Sequence, residues 1–189
     1  MTKQELRKLI AGRVKNLSPV YCREADAAIC QGVLQSELYR RARVLLCYVG
    51  SAREIDTSAL LHAALRDGKV LALPLCVEKG VMEARQIAGL GDLVSGKYGI
   101  LAPKLTCPVV EPEALELVVV PCAAGNERGE RLGYGGGYYD RYLPRTDCPT
   151  MLLCRRHLLT EEIPLEPHDR RMDYLVTERG IVSCREETR

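Results

Sequence analysis

The sequence predicts an α/β protein in which a central, mostly parallel β-sheet is flanked by helices. Short apolar runs recur along the chain, and segments with helical spacing of apolar residues lie between them. Strands that alternate with helices favour a parallel sheet, because parallel neighbours need a long crossover connection. The length of 189 residues suffices for one domain with a substantial core, and no repeat or linker divides it. A single domain over residues 1–189 is therefore expected.

Two helices are predicted to open the chain. Apolar residues at helical spacing run from Leu6 to Leu17 and predict the first helix. Ser18 followed by Pro19 is typical of an N-cap and a first helical position, so the second helix is expected to begin there. It is predicted to end near Tyr39, before the period of the apolar residues changes.

The next elements alternate between strand and helix. Residues 44–49 form a continuous apolar run, as expected of a strand that is buried on both faces. Asp56 is expected to cap a helix that reaches Arg66. Residues 70–77 predict a second buried strand, and residues 81–87 predict an edge strand. A loop with short strands is expected at residues 89–113, because Gly and Pro are frequent there.

The second half of the chain continues the alternation. Residues 115–120 predict a strand that Pro121 ends, and a glycine-rich loop then leads to a predicted helix at residues 136–143. A turn of helix is expected within residues 158–163. The remaining predicted strands are residues 151–154, 174–177 and 181–184.

Composition excludes several classes of protein. The 27 basic and 25 acidic residues give a net charge of +2, which argues against a protein that coats nucleic acid. The chain has no Phe and no Trp, so a stacking platform built from those rings for single strands is excluded. No apolar run approaches the ~20 residues of a membrane span. No nucleic-acid partner and no membrane contact are expected, and the oligomeric state is left open, with a monomer expected.

The cysteines indicate a reducing compartment. Their number is nine, which is odd, and no two are spaced as C-x-x-C. Several lie inside apolar runs, so they are interpreted as small buried residues and not as a disulfide framework or a zinc site. The N-terminus is polar and lacks the apolar region of a signal peptide, so a cytoplasmic location is predicted.

The most informative segment runs from Arg131 to Arg141 and contains four glycines. A glycine-rich loop between a strand and a helix presents backbone N–H groups that bind phosphate. The two arginines add positive charge, and Asp140 is suited to hold the Mg²⁺ that accompanies a nucleotide. The pattern matches neither a P-loop nor the complete dinucleotide motif, because Tyr138 takes the place of its third glycine. A tight turn without a ligand is the alternative interpretation.

The same segment resembles a family signature. The stretch from Pro121 to Leu143, with its R-L-G-x-G-x-G-Y-Y-D core, is similar to the signature of the 5-formyltetrahydrofolate cyclo-ligases, also called methenyltetrahydrofolate synthetases. Residues 3–7 resemble the K-x-x-L-R opening of this family. Residues 54–57 after a tyrosine, and residues 168–173 before Val-Thr, resemble two further family segments in the same order.

The resemblance implies a reaction. In it, ATP and 5-formyltetrahydrofolate give ADP, phosphate and 5,10-methenyltetrahydrofolate, with Mg²⁺ as the metal and a reduced folate as the small-molecule partner. The formyl oxygen of an amide leaves poorly, and transfer of the γ-phosphoryl group to it makes it a good leaving group. N10 of the folate then closes the ring. The protein is expected mainly to position the reactants and neutralise charge.

The resemblance also implies the roles of individual residues. Nucleotide binding is implied for Lys3, Arg7, Arg131, Leu132, Gly133, Tyr134, Gly135, Gly136, Gly137, Tyr138, Tyr139 and Arg141. Folate binding is implied for Val49, Glu54, Tyr134, Gly135, Gly136, Gly137 and Tyr138. Catalysis is implied for Arg131 and Tyr138, and Mg²⁺ binding for Asp140 and Asp169. Without the resemblance, a solvated helix face is the usual interpretation of Lys3 and Arg7, and a helix N-terminus is an alternative for Glu54. Asp169 could equally cap a turn, and Tyr138 and Tyr139 could be core residues.

The sequence departs from the family pattern at three places. Gly125 and Asn126 stand where the family has Phe and Asp, Ala102 precedes Pro103 where Glu is frequent, and a Gln expected near Leu158 is missing. These differences leave two further hypotheses open. One is a divergent enzyme that uses the same ATP site on another N-acyl or pterin-like substrate. The other is a nucleotide-binding module without catalysis.

Overall fold

The computed structural model describes residues 1–96 and 99–185, and its centre is an eight-stranded sheet. The strands are β1 (Val44–Leu46), β2 (Val70–Glu78), β3 (Val81–Ile87), β4 (Leu93–Ser95), β5 (Leu101–Pro103), β6 (Val109–Val110), β7 (Leu117–Val120), β8 (Ala124–Gly125), β9 (Arg131–Leu132), β10 (Thr150–Leu153), β11 (Tyr174–Thr177) and β12 (Gly180–Ser183). The helices are α1 (Lys3–Lys15), α2 (Pro19–Gln35), α3 (Glu37–Arg41), α4 (Ser58–Arg66) and α5 (Tyr138–Tyr142).

The strand order is β12-β11-β10-β7-β1-β2-β3-β6. The five strands from β11 to β2 are parallel to their neighbours, and β12, β3 and β6 add antiparallel edges. The pairs β4–β5 and β8–β9 form separate two-stranded hairpins. The predicted α/β class with a mostly parallel sheet and two N-terminal helices is confirmed.

The central strands are buried on both faces. In β7, Leu117 and Val119 face one apolar cluster, while Val118 and Val120 face the other. Helices α2 and α4 cover the first face, and α1 and α5 cover the second. Because successive side chains of a strand point to opposite faces, an unbroken apolar run is what a sheet between two helical layers requires.

The second predicted helix is two helices in the structure. Helix α2 begins as expected, with the Ser18 hydroxyl accepting from the amide of Tyr21 at 3.1 Å. The expectation that it continues to Tyr39 is wrong, because Ser36 adopts an extended conformation. The Ser36 hydroxyl donates to the carbonyl of Val33 at 2.6 Å and accepts from the amide of Tyr39 at 3.1 Å. One serine thus ends α2 and begins α3.

Other predicted elements differ in extent or position. Strand β3 was expected at an edge, but β6 pairs with its outer side. The helix expected at residues 136–143 is shortened to five residues, because a left-handed glycine precedes it and the proline of the 3₁₀ turn Leu143–Arg145 follows it. The turn expected within residues 158–163 lies earlier, at Arg156–Leu158. The β8–β9 hairpin was not predicted.

The structure also bears on the cysteines and on membrane-spanning helices. All nine cysteines are free, in line with the absence of a disulfide framework. Among the described residues, no helix combines the length and the apolar character that crossing a bilayer requires.

Substitution of Leu117 tests how much the centre of the sheet contributes to the stability of the fold. Its side chain is fully buried, so replacing it by Ala is expected to lower the free energy of unfolding by about 2–5 kcal/mol. Urea unfolding measures this difference. Leu105→Ala is the control, because Leu105 is 70% exposed, and it is expected to stay within about 0.5 kcal/mol of the wild type. Equal losses in both variants would contradict the assignment of the core.

Candidate functional site

The strand order creates a crevice at the carboxyl ends of β1 and β7. These two strands are neighbours, yet β1 continues to α4 on one face of the sheet and β7 leads to α5 on the other. The two connections therefore diverge, and ligands of open α/β sheets bind in the gap that such a divergence leaves. All the residues predicted from the glycine segment follow β7, and Val49 and Glu54 follow β1.

The connection after β7 first forms the β8–β9 hairpin. The side-chain oxygen of Asn126 accepts from the amides of Arg128 and Glu130, both at 3.1 Å, and its amide nitrogen donates to the Glu130 carboxylate at 2.7 Å. Gly125 lies so close to Leu152 that a Cβ would come within 2.7 Å of its Cδ2. Gly125 thus packs closely against Leu152, and the amide group of Asn126 joins the two ends of the hairpin turn.

The glycine loop, residues 133–137, follows β9. Gly135 and Gly137 have φ of +100° and +65°, which disfavour any residue with a Cβ. A Cβ on Gly136 would lie 2.6 Å from the ring of Tyr138. The hydroxyl of Tyr134 donates to the carbonyl of Cys122 at 3.0 Å and so ties the loop to the end of β7. Apart from Tyr134, the loop presents only glycine backbone at the crevice.

Arg131 is the buried cation beneath this loop. Its guanidinium pairs with the carboxylate of Asp140, lies 5.6 Å from the ring centre of Tyr139, and donates to the carbonyl of Pro121 at 3.4 Å. Its buried Nε has no hydrogen-bond partner among the described residues. Since a buried donor is normally paired, this guanidinium retains capacity for a further acceptor.

Two more arginines contact the glycine loop. Helix α1 brings Arg7 to it, and the Nε of Arg7 donates to the carbonyl of Gly133 at 2.7 Å. Arg141 extends from α5, and its Nη1 donates to the carbonyls of Gly136 and Gly137 at 3.2 and 3.1 Å. Three guanidinium groups therefore surround five residues of backbone, which is a favourable setting for a polyanion.

Lys3 does not contact the glycine loop through any described hydrogen bond. Its ammonium pairs with Glu166 and with Asp169, both at 2.6 Å. Burial alone would lower the pKa of Lys3, but the hydrogen bonds to Asp169 and Glu166 raise it above the ordinary lysine value. Burial would raise the pKa of Asp169, but the hydrogen bond from Lys3 lowers it below the ordinary value.

The two predicted metal ligands lie in different local settings. Asp140 pairs with Arg131, whereas Asp169 pairs with Lys3. Ligand atoms of Glu166, His168 and Asp169 lie within 4.8 Å of one another. Each of the two predicted carboxylates is thus held by a cation, and Arg131 uses Oδ1 of Asp140 while Lys3 uses Oδ2 of Asp169.

The Glu54 loop, residues 49–57, forms the other side of the crevice. Gly50 permits its tight course, because a Cβ there would lie 2.1 Å from the carbonyl oxygen of Ile55. Oε2 of the half-buried Glu54 accepts from the amide of Ser51 at 2.9 Å. Val49 is half-buried and packs on the core. A cleft beside this loop is lined by Arg53, Glu54, Ile55, Cys122, Leu153, Cys154, Arg155 and Leu158.

Sequence reasoning missed an ion pair behind this loop. Arg155 lies two residues after the last residue of β10 and contacts Asp26 of α2 through Nε at 2.7 Å and through Nη2 at 2.8 Å. The two residues are 129 positions apart, so no local pattern connects them. One signal was present. Asp26 shares helical spacing with Ile29 and Val33 on the buried side of α2, and a buried carboxylate requires a partner.

The fold and the site together define a class. The chain is an α/β protein whose arginine-flanked glycine loop lies at the crevice of a parallel sheet, which is the usual place for a nucleotide. A family model described as the 5-formyltetrahydrofolate cyclo-ligase family matches residues 1–178. The chain belongs to that family, as the resemblance of its motifs indicates.

Relatives and solved structures agree with this assignment. The chain is 31% identical to the 5-formyltetrahydrofolate cyclo-ligase of Mycolicibacterium smegmatis, over 97% of this chain and 98% of the relative. It is 27% identical to a probable 5-formyltetrahydrofolate cyclo-ligase of Schizosaccharomyces pombe, over 96% and 98%. The solved 5,10-methenyltetrahydrofolate synthetase of Aquifex aeolicus has 28% identity and a TM-score of 0.88, over 100% of this chain and 96% of that one.

The Lys3 ion pairs predict how stability depends on pH. Lys3→Met removes the partner of Asp169 and is expected to lower the free energy of unfolding by about 1–2 kcal/mol at neutral pH. Because the pKa of Asp169 is lowered in the folded state, this difference is present above the ordinary Asp pKa of about 3.9. It is lost as the pH falls through the lowered pKa of the folded state.

Urea unfolding between about pH 7 and pH 2 measures this dependence. Lys8→Met is the matched control, because Lys8 lies on the exposed side of the same helix. The control is expected to stay close to the wild type at every pH. A loss in Lys3→Met that persists unchanged at the acid end would contradict the ion pair as its cause.

Proposed function

We propose that the protein cyclises 5-formyltetrahydrofolate to 5,10-methenyltetrahydrofolate at the expense of ATP, with release of ADP and phosphate. The observation that carries this proposal is the glycine loop with Arg7, Arg131 and Arg141 around it, in a chain that belongs to the cyclo-ligase family. The loop lies at the carboxyl end of β7, and the Glu54 loop faces it from the end of β1.

The nucleotide phosphates are proposed to bind on the glycine loop. Backbone N–H groups of residues 133–137 would receive them, and Arg7, Arg131 and Arg141 would supply positive charge. The unpartnered Nε of Arg131 supports this role. Leu132 is fully buried and would contribute only its backbone, whereas the ring of Tyr139 supports Arg131 from the side. Lys3 would join the site through its contact with Asp169.

Magnesium is proposed to bind between the phosphates and the acidic residues of this region. The oxygen chemistry of Asp140 and Asp169 fits Mg²⁺, and each of these carboxylates keeps one oxygen beyond its short contact with Arg131 or Lys3. When bound, the metal would neutralise phosphate charge during transfer. Arg131 holds Asp140 in a fixed orientation beside the loop.

The folate is proposed to bind in the cleft between the two loops. Oε1 of Glu54 would accept from the donor-rich edge of the pterin while Oε2 stays on Ser51. Val49 would contact the ring from its half-buried position, and Tyr134, Tyr138 and the backbone of residues 135–137 would lie along the folate from the other loop.

The chemistry then needs little beyond position and charge. Phosphoryl transfer to the formyl oxygen places negative charge near Arg131, and a buried guanidinium stabilises such charge strongly. Tyr138, at the start of α5, is proposed to orient the formyl group toward the phosphate. Attack of N10 on the activated carbon, with loss of the N10 proton to solvent, closes the ring and releases the former formyl oxygen as part of phosphate. The cytoplasmic location and the monomeric state stay predictions.

The direct test supplies purified protein with MgATP and 5-formyltetrahydrofolate. Formation of the methenyl product, followed by its absorbance, is expected together with one ADP for each product. 5-Methyltetrahydrofolate is the matched control and is expected to give neither product, because it lacks the carbonyl oxygen that accepts the phosphoryl group. ATP binding without methenyl product would favour the divergent enzyme, and absence of ATP binding would favour the non-catalytic module.

Asp140→Asn tests the proposed metal ligand. The substitution keeps the shape of the side chain but removes its charge, so turnover is expected to fall by about 10²-fold or more, with a higher requirement for Mg²⁺. Steady-state rates over a range of Mg²⁺ concentrations measure this. Asp147→Asn, at an exposed position after α5, is expected to behave as the wild type. Normal turnover of Asp140→Asn would exclude its role.

A further inference from the structure

We propose that the buried pair of Asp26 and Arg155 positions the Glu54 loop for recognition of the pterin ring, and so sets the affinity for the folate substrate. This inference rests on the proposed function of Glu54. Neither residue belongs to the glycine loop or to the segments whose motifs resemble the family. Both are positioning residues, since they act on the substrate through the backbone of the loop.

The pair holds the loop at two backbone points. Nη2 of Arg155 donates to the carbonyl of Glu54 at 2.7 Å, and Oδ2 of Asp26 accepts from the amide of Asp56 at 2.9 Å. These two contacts lie on either side of Ile55, whose side chain is buried. The backbone of residues 54–56 is therefore held on the side of the loop that faces the core. The side chain of Glu54 lines the cleft.

The geometry of the pair is rigid. Arg155 contacts both carboxylate oxygens of Asp26, through Nε and Nη2, in the fork arrangement that a planar guanidinium favours. The exposed fractions of the two side chains are 5% and 10%, so water does not compete for these hydrogen bonds. Asp26 is anchored in α2 and Arg155 at the end of β10, which are both parts of the packed core. The Glu54 loop is thereby attached by hydrogen bonds to two rigid elements of the core.

Stability alone does not account for such a pair. Removing two charges from water costs about as much as their attraction returns, and apolar residues of similar size are often equally stabilising or more so. An apolar pair cannot, however, hydrogen-bond a carbonyl and an amide at fixed positions. What the ionic pair adds is a defined place for the two backbone groups, and through them for the Glu54 carboxylate.

The pair acts on the folate side of the site alone. Its described hydrogen bonds connect α2, the Glu54 loop and the end of β10, whereas Arg7, Arg131 and Arg141 make theirs within the glycine loop and its neighbours. Loss of the pair is therefore expected to affect binding of the folate and to leave binding of ATP nearly unchanged.

The test variant replaces both residues, as Asp26→Leu with Arg155→Met. A single substitution leaves a buried charge without its partner and endangers folding, whereas the double substitution leaves none. The variant is expected to fold, to raise the KM for 5-formyltetrahydrofolate at least ~10-fold, and to change the KM for ATP less than ~2-fold, because a small displacement of a binding group is costly. Arg155→Lys keeps the charge without the fork and is expected to give an intermediate KM.

Arg85→Met is the matched control. Arg85 also pairs with a carboxylate, that of Glu83, and also holds two backbone carbonyls, those of Leu105 and Cys107, but none of these residues lines the cleft. Its substitution is expected to leave the KM for folate unchanged. An unchanged folate KM in the double variant would overturn the proposal, and so would a parallel rise of both KM values with a loss of stability, which marks a purely structural role.

Amide hydrogen exchange gives a readout that does not depend on activity. In the wild type the amide of Asp56 donates a hydrogen bond to the carboxylate of Asp26. In the double variant this amide is expected to exchange at least ~10-fold faster, while the amides of β7 keep their protection. Unchanged exchange at Asp56 would overturn the positioning role. Absence of methenyl product from the wild type would instead reject the proposed function, so the two failures are distinguishable.

Discussion

The site depends on one topological constraint, which is that β1 pairs with β2 on one side and with β7 on the other. From β1 the chain turns to the helices of one face, and from β7 it turns to those of the other. Among the described central strands, β1 and β7 are therefore the only neighbours whose following connections run to opposite faces of the sheet. Apart from Lys3 and Arg7 of α1, the residues implied for the nucleotide and for the folate lie in these two connections, so the topology brings two distant parts of the sequence to one crevice.

Three arginines gather around the glycine loop although the whole chain carries a net charge of only +2. Each cation is already oriented by a partner, Arg7 by the carbonyl of Gly133, Arg131 by Asp140 and Lys3 by Asp169. Such preorganised groups do not need to reorient when a polyanion binds, and buried ones act through a low local dielectric. The Asp26–Arg155 pair gives the opposite loop the same kind of support. Both sides of the proposed site are thus oriented by contacts within the protein.

The sequence was sufficient for the parts that depend on local periodicity. An unbroken apolar run such as residues 117–120 is typical of a strand buried on both faces, and the R-L-G-x-G-x-G-Y-Y-D segment has few structural interpretations. It was insufficient where a contact joins distant residues. Asp26 and Arg155, or Lys3 and Asp169, meet only once the sheet has assembled, and neither residue of a pair indicates its partner. Ser36 is a third case, since its hydroxyl serves both the end of one helix and the start of the next.

The most direct test of this account is a crystal structure of the protein with a non-hydrolysable ATP analogue, Mg²⁺ and 5-formyltetrahydrofolate. We expect the triphosphate on residues 133–137, in contact with Arg7 and Arg131, and the pterin ring against Glu54, with the formyl oxygen between them. A nucleotide bound at the amino ends of the parallel strands, or a pterin that does not contact the Glu54 loop, would contradict it.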